Sequence, residues 1–443
     1  MLNPVSASPG GRATLQFFAA TSGLFSVTFA LLPGSMLPEI THYPVNWVDG
    51  MKISRRHFAE VEQATTDHLR DAIALHLRPD NYGLLPASNE LGSPAAFELL
   101  LSVDARHEVQ ARLTQCRAIT AGGARIEITA SSTPLTARTS LAQLLAQFSL
   151  TATEGLRFSV IVSVNPFERV PVGTPSPEEV PPRHPYTRPA YELSFVPTQQ
   201  LSSEVSAAFT LVVGELLHAE GELRPVAQFI PPSTALASHP ALLQALHQLD
   251  FQLTELETDA FKVIHKVKLR TDKKSHLAEM VRELAERTVF ALAQQLTTLR
   301  LLAANQPPIY LLDALLRVAK QFKTSLDSLT EGEREELLKY FEQWSETLPA
   351  TLLGALQAAV TLTYSHQQVH EHLRQQQQLW QLIGTIFRQL SQLEYIGKNK
   401  EGWQSFINEN PVANAPGKVT LPGNTPTADP ATAGPTRWNP FTA

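Results

Sequence analysis

The chain has 443 residues, of which 43% are hydrophobic and 18% are charged, and its formal net charge is −6. This length predicts two or three domains, each with enough apolar residues for a packed core. The weakly acidic balance excludes the positively charged footprint of a nucleic-acid-binding domain. The single cysteine, Cys116, excludes an intrachain disulfide and a cysteine-built zinc site, and it is typical of a reducing cytoplasm.

Residues 1–35 form an extension that precedes the first sequence motif. Residues 17–32 are mostly apolar and follow Arg12, which resembles a weak signal peptide, but the run is too short and too rich in Ser and Thr for a membrane span. Three interpretations remain: a cryptic signal, an extra strand, or a translation start placed too early, with Met36 as the true start. We favour the third.

An aromatic motif precedes the first predicted helix. Residues 45–51 have the sequence Val-Asn-Trp-Val-Asp-Gly-Met, and an Arg-His-Phe triplet follows at residues 56–58. Apolar residues recur at helical spacing from Phe58 to Leu77, and Ser54 is a suitable N-cap, so residues 54–77 are predicted to be helical. The motif is either part of a core or a docking surface, because aromatic residues and Met are enriched at interfaces. Its candidate interface residues are Trp47, Gly50, Met51, His57 and Phe58.

Residues 96–230 consist of short apolar runs separated by turn signals, without alternating helices, which favours a β-sandwich. Gly122-Gly123 predicts a hairpin turn. The proline-rich residues 165–189 cannot form a central strand or a helix, and they are either a long surface loop or an arm that reaches a neighbouring subunit. The predicted strands are 97–103, 125–129, 158–164, 191–196, 209–213 and 226–230.

The apolar period changes to alternating steps of four and three after Pro240, which is typical of a coiled-coil seam. Either a self-associating helix or a helix pair within one chain produces such a stripe, and we favour self-association. Further helices are predicted at residues 277–299, 309–325 and 369–390, and another is predicted to begin at a capping box at Thr330. The tail after these helices is predicted to be disordered. The predicted seam residues are Leu242, Leu246, Leu249, Leu253, Leu256 and Val263.

The predicted fold is therefore β + α and multidomain. A β-sandwich spans residues 36–235, a helical-bundle neck 236–328, C-terminal helices 329–408 and a disordered tail 409–443.

No constellation of catalytic or cofactor-binding residues occurs, so the sequence predicts no enzyme, no cofactor and no metal site. His366 and His370 are one helical turn apart, but a third ligand is missing because His372 points elsewhere, and a solvated polar face is the favoured interpretation. A basic run between the first two neck helices is expected to stabilise a helix C-terminus and solubility rather than to bind lipid. It comprises Lys262, Lys266, Lys268, Arg270, Lys273 and Lys274.

Two landmarks of the sequence are the aromatic motif, Trp47–Met51 with His57-Phe58, and the segment Ile230-Pro231-Pro232 at the end of the β-rich region. Together they resemble the TssK family, the trimeric baseplate proteins of type VI secretion systems. In that family a Trp-x-(Glu/Asp)-Gly-Met segment runs into a His-Phe pair, and the β-rich domain ends in an (Ile/Val)-Pro-Pro strand before a helical neck. A Pro-Pro-Ile-Tyr segment at 307–310 adds a third point of likeness, and the resemblance covers residues 43–326.

The resemblance implies a sandwich like the shoulder domain of phage receptor-binding proteins, a homotrimer formed through the neck, and attachment to the wedge proteins TssF and TssG. It implies a structural, cytoplasmic connector that faces the inner membrane and binds neither nucleic acid nor a small-molecule substrate. The family's α/β head has no counterpart, since nothing between Thr330 and Asn408 predicts a strand. A divergent, Bacteroidetes-type system with a different membrane partner from TssL and TssM is therefore expected. The alternative is a trimeric adhesin of a phage-like contractile injection system, which the aromatic content of 7% disfavours.

Overall fold

The computed structural model describes residues 14–15, 27–28, 39–87, 96–201, 208–269 and 275–398. These residues all belong to one compact unit, 1–399. The predicted disordered tail and the basic residues Arg270, Lys273 and Lys274 lie outside the described residues. The expectation of a start at Met36 stays a prediction.

Two antiparallel sheets make up the first part of the chain, and a separate pair, β1–β2, precedes them. One sheet has the order β11-β10-β8-β9, and in the other β5 pairs with β3, β4, β6 and β7. The strands are β1 (Thr14–Leu15), β2 (Val27–Thr28), β3 (Gly83–Leu84), β4 (Phe97–Val103), β5 (Glu108–Ile119), β6 (Arg125–Ile128), β7 (Leu135–Ser140), β8 (Arg157–Val172), β9 (Tyr186–Pro197), β10 (Thr210–Ala219) and β11 (Glu222–Pro225).

Both sheets contribute to one hydrophobic core, so the predicted β-sandwich is confirmed. Alternate residues of each strand point inward, as Val109 and Leu113 do on β5 and Val160 and Val162 do on β8. The hairpin at Gly122-Gly123 is also confirmed, because β5 and β6 pair across it.

The strand predicted at 226–230 is wrong. β11 ends at Pro225, the amide of Val226 makes one further hydrogen bond to Glu215 O at 2.9 Å, and Phe229 N–H then turns back to Val226 O at 3.0 Å. The chain leaves the sheet here because two prolines follow at 231 and 232, and proline cannot donate a ladder hydrogen bond.

The proline-rich segment 165–189 is partly an extension of the sheet. After a bulge between Asn165 and Arg169, β8 and β9 continue as a two-stranded ribbon from the pair Arg169–Pro189 to the pair Val172–Tyr186. Prolines are tolerated because, among the described strands, only β9 pairs with this part of β8, and β9 is an edge strand. The ribbon tip, residues 173–185, is largely exposed. Whether it reaches a neighbouring subunit stays a prediction.

Helices make up the second part of the described chain, and two more accompany the sandwich. The helix predicted from Ser54, the break before Pro308 and the capping box at Thr330 are confirmed. The helices are α1 (Arg55–Ala74), α2 (Leu141–Phe148), α3 (Pro240–Lys268), α4 (His276–Leu302), α5 (Pro308–Asp327), α6 (Glu331–Ser345), α7 (Pro349–Val360) and α8 (Val369–Gln392).

One hydrophobic core extends from Ile230 to Leu390, so helices from the predicted neck and from the predicted C-terminal region pack together. α3 packs mainly against α4 and α8. No helix within the described ranges is long and apolar enough to cross a membrane.

The predicted seam residues lie in this core. Leu249 is fully buried within its own chain, and the other five are buried as well. A side chain covered by its own chain cannot contact another copy, so this corrects their assignment to a seam between chains. The helix pair within one chain, the alternative left open by the sequence, accounts for the stripe. The residues concerned are Leu242, Leu246, Leu249, Leu253, Leu256 and Val263.

The Pro-Pro landmark joins the sandwich to the helices. Pro232 O accepts a hydrogen bond from Leu84 N–H at 2.8 Å, and Thr234 N–H donates to Leu84 O at 2.9 Å. Gly83 has φ +114°, and a Cβ there would collide with the Pro232 carbonyl. Only glycine therefore allows β3 to approach the proline segment so closely.

Candidate docking surface

The aromatic motif lies in an extended segment, residues 39–53, that is held against α1 by one buried carboxylate. Thr41 N–H and His42 N–H donate to Asp67 Oδ2 at 3.3 and 3.0 Å, and His42 Nδ1 lies 2.9 Å from the same oxygen. The other carboxylate oxygen of Asp67 forms an ion pair with Arg70 Nη1 at 2.9 Å. Asp67 therefore fixes the start of the segment and the helix to each other.

Burial alone raises the pKa of Asp67, but the hydrogen bonds from His42 and Thr41 and the charge of Arg70 outweigh it, so the pKa lies below the usual value. A lowered carboxyl pKa stabilises the folded state at pH values above the unfolded pKa. That stability is lost as the pH falls through the folded pKa.

The inner face of α1 rests on the sandwich. The guanidinium of Arg70 lies 5.6 Å from the ring centroid of Phe209. A Cβ on Gly123 would lie 2.6 Å from Arg70 O, so the hairpin at Gly122-Gly123 leaves the room that α1 needs. The buried residues of the helix are Ala64, Asp67, Arg70 and Ala74.

The outer face of α1 and the preceding segment expose apolar side chains. Trp47 is 49% exposed, and Phe58 and Leu69 are each 59% exposed. Phe58, Leu69 and Ile73 share one face of α1, since they are eleven and four residues apart, and all three are exposed on the side away from the sandwich. We call the exposed side chains on residues 43–73 the front surface.

The motif itself is turned outward. Gly50 has φ +79° and follows Val48 in a turn closed by Met51 N–H donating to Val48 O at 3.2 Å. The Trp47 ring stands edge-on to His57, with centroids 5.9 Å apart. Met51 and His57 are half-buried. The interpretation of the motif as sandwich core is therefore wrong for Trp47 and Phe58, whereas their exposure fits the docking interpretation.

Sequence reasoning missed the contribution of the β8–β9 ribbon. Phe167 packs on His42 with ring centroids 4.1 Å apart, and Arg169 Nη2 donates to Thr66 Oγ1 at 3.3 Å. The ribbon base thus borders the front surface. The only sequence signal for this contact was the pair Phe167 and Arg169 within the proline-rich segment.

The three histidines before and within α8 each contact other protein groups. His366 precedes α8 and bonds to Tyr364 and Tyr82, His372 Nε2 accepts from Ser365 N–H at 3.1 Å, and His370 packs on Phe229. No group of three metal-ligating side chains occurs within the ranges that the structure covers. The solvated polar face is also wrong, since His366, His372 and Gln376 are buried.

The described lysines of the basic run make hydrogen bonds and ion pairs with other residues of the same chain. Lys266 Nζ donates to the carbonyls of Ser391 and Leu393 at 2.6 and 2.7 Å and so caps the end of α8. Lys262 pairs with Asp259 and Lys268 with Glu286, each at 2.8 Å. The helix end that Lys266 caps is thus that of α8 and not that of its own helix, α3.

No family model matches the chain, and no curated protein matches it. Among solved structures, a crystal structure of TssK is 15% identical, with a TM-score of 0.47 over 78% of this chain and 72% of that chain. TssK from the EAEC type VI secretion system, bound to a nanobody, is 15% identical, with a TM-score of 0.43 over 73% and 68%. A TssK-TssF-TssG baseplate subcomplex is 15% identical, with a TM-score of 0.42 over 78% and 99%.

Proposed function

We propose that this chain is a structural baseplate subunit of a type VI secretion system, of the TssK kind, and not an enzyme. In this role it forms a homotrimer that connects the TssF/TssG wedge to a membrane-anchoring complex, at the cytoplasmic face of the inner membrane. The exposure of the family-like motif supports the proposal. Trp47 and Phe58 are exposed, and the segment that carries Trp47 is hydrogen-bonded to Asp67 of α1.

The front surface suits a protein partner better than a small ligand. Its apolar side chains lie on the outside of a helix and an extended segment, whereas small-molecule sites are concave. Protein interfaces are enriched in aromatic residues and Met. The front surface has this composition, with exposed Trp47 and Phe58 beside half-buried Met51 and His57. The segment is held by Asp67 before any partner arrives, which lowers the entropy lost on binding.

The experiment is co-purification of the chain with the TssF and TssG proteins encoded in the same genome. We expect Trp47→Ala and Phe58→Asp each to weaken the complex by about thirtyfold, the effect of losing about 2 kcal/mol at an interface hot spot. The melting temperature should stay close to that of the wild type, because both side chains are largely outside the core. Leu348→Asp removes a leucine that is similarly exposed, at 57%, from the start of α7, and should not change binding.

The possible outcomes test the proposed function and the proposed contact surface separately. If the wild type does not bind TssF or TssG, the proposed function fails. If it binds and all three variants bind equally well, the function stands and the front surface is not the contact. The adhesin alternative predicts no wedge binding at all.

A further inference from the structure

A groove of about 640 Å³ lies between α4 and α5, and none of its residues belongs to the front surface. Three cationic side chains, Arg287, Arg317 and Lys320, line it together with one carboxylate, Asp313. Phe290 and Leu316 supply apolar surface to the same groove. Its lining thus carries two more positive than negative charges, although the whole chain has a net charge of −6.

The cations keep hydrogen-bonding capacity for a ligand. Arg317 Nε pairs with Asp313 at 2.8 Å, and Arg287 pairs with Glu283 and donates to Ser328 Oγ at 3.2 Å. A guanidinium has five N–H donors, so each arginine has donors left. Within the described residues no ion pair is formed by Lys320. A carboxylate in the groove would therefore meet charge-assisted donors on both helices.

Phe290 is the second indication of a partner. It is 71% exposed and borders the charged lining, so its ring lies uncovered beside hydrogen-bond donors. The α4 lining runs from Arg287 to Gln295, about 12 Å at the helical rise of 1.5 Å per residue. An elongated ligand with an apolar side chain between acidic ones matches this arrangement.

We propose that the groove between α4 and α5 binds an acidic, amphipathic segment of a second protein, whose carboxylates pair with Arg287, Arg317 and Lys320 while an apolar side chain covers Phe290. Complementary charge supplies the selectivity and the aromatic ring supplies the buried contact. The site is independent of the wedge contact, because the two surfaces share no residue.

The test places a photo-crosslinking benzoyl-phenylalanine at position 290 of the full chain in the native cells and identifies the crosslinked peptide by mass spectrometry. We expect a peptide of another protein with a net negative charge. The double variant Arg317→Glu, Lys320→Glu should lower the yield at least about tenfold, because it repels the same carboxylates. The control Arg106→Glu, Arg112→Glu changes the net charge equally at exposed positions of the sandwich and should retain the yield.

Lysine replacements for the acidic residues of the captured peptide should restore crosslinking to the double variant. Crosslinking to the chain's own sequence would make the groove an interface between copies and overturn the proposal. A crosslink to lipid, a neutral or basic peptide, an equal loss in the control variant, or no crosslink would each overturn it as well.

Discussion

Two buried polar side chains, Asp67 and His366, each join separate parts of the chain. Asp67 holds the front segment to α1. His366 Nε2 lies 2.8 Å from Tyr82 O and its Nδ1 lies 2.6 Å from the hydroxyl of Tyr364. Because a carbonyl only accepts, Nε2 carries the proton and Nδ1 accepts from the tyrosine, which fixes one neutral tautomer. The residues before α8 are thereby joined to Tyr82, which directly precedes β3, the strand that contacts the Pro-Pro landmark.

We expect acid to weaken the fold through His366. Burial lowers the pKa of His366 from 6.5 to about 4. Below pH 6.5 the unfolded state therefore binds a proton at this histidine that the folded state does not bind. The contribution of His366 to the free energy of unfolding is complete above pH 6.5 and falls as the pH drops towards 4. Urea unfolding measured across this range should show a shallower pH dependence for His366→Gln than for the wild type. Identical dependences would show that His366 does not contribute.

At the scale of elements, the sequence predicted helices better than strands. The long helices were found because their apolar residues repeat regularly and their caps are explicit, as at Ser54 and Thr330. Only the end of β5, at the Gly122-Gly123 hairpin, was predicted. The rest of the strand was missed because its exposed and half-buried positions hold long polar side chains such as Gln110 and Arg112, which make the apolar alternation difficult to recognise. α7 was missed because its sequence, Pro-Ala-Thr-Leu-Leu-Gly-Ala-Leu-Gln-Ala-Ala-Val, has no clear polar face.

The heptad stripe of α3 shows why packing partners are harder to predict than burial. Every predicted seam residue is indeed buried, yet an a/d stripe fits a helix of the same chain as well as a second copy. The role of the aromatic motif, as core or as docking surface, could not be decided from the sequence for a similar reason. Nothing in the residue types of Trp47 and Phe58 decides between core and interface. The position of the Trp47 segment depends on hydrogen bonds to the distant Asp67, and the exposure of Phe58 depends on which face of α1 packs on the sandwich.

The α3 stripe can be tested as an intramolecular core. Leu249→Ala should lower the free energy of unfolding by about 2–5 kcal/mol, because it removes a fully buried leucine and leaves a cavity. Glu255→Ala, at an exposed position of the same helix, should change it by less than about 0.5 kcal/mol. Chemical denaturation provides both values, and sedimentation should give the wild-type mass for Leu249→Ala. A variant that dissociates while staying folded would return Leu249 to a seam between chains.

At the scale of the whole molecule, a trimer needs a surface other than the buried stripe. α3 carries a second series with alternating steps of four and three, and it faces outward. Phe251 is 65% exposed and Phe261 is 43% exposed, and both belong to this series. Arg300 of α4 donates to Asp250 Oδ1 and Thr254 Oγ1, both at 2.7 Å, which fixes the helix surface around Phe251. The series is His247, Phe251, Thr254, Thr258, Phe261 and His265.

If three chains associate through this outer stripe, the double variant Phe251→Asp, Phe261→Asp should dissociate them without unfolding the chain. Two carboxylates in an apolar contact lose hydration without gaining partners, whereas in the free monomer the same positions are solvated. Light scattering at micromolar concentration should give three times the chain mass of 48.8 kDa for the wild type and one chain mass for the variant. Phe290→Asp changes an exposed phenylalanine outside the stripe and should leave the trimer intact. A monomeric wild type would contradict the proposed trimer. A double variant that stays trimeric would show that the contact between chains does not involve this face of α3, and the β8–β9 ribbon would then be the next surface to substitute.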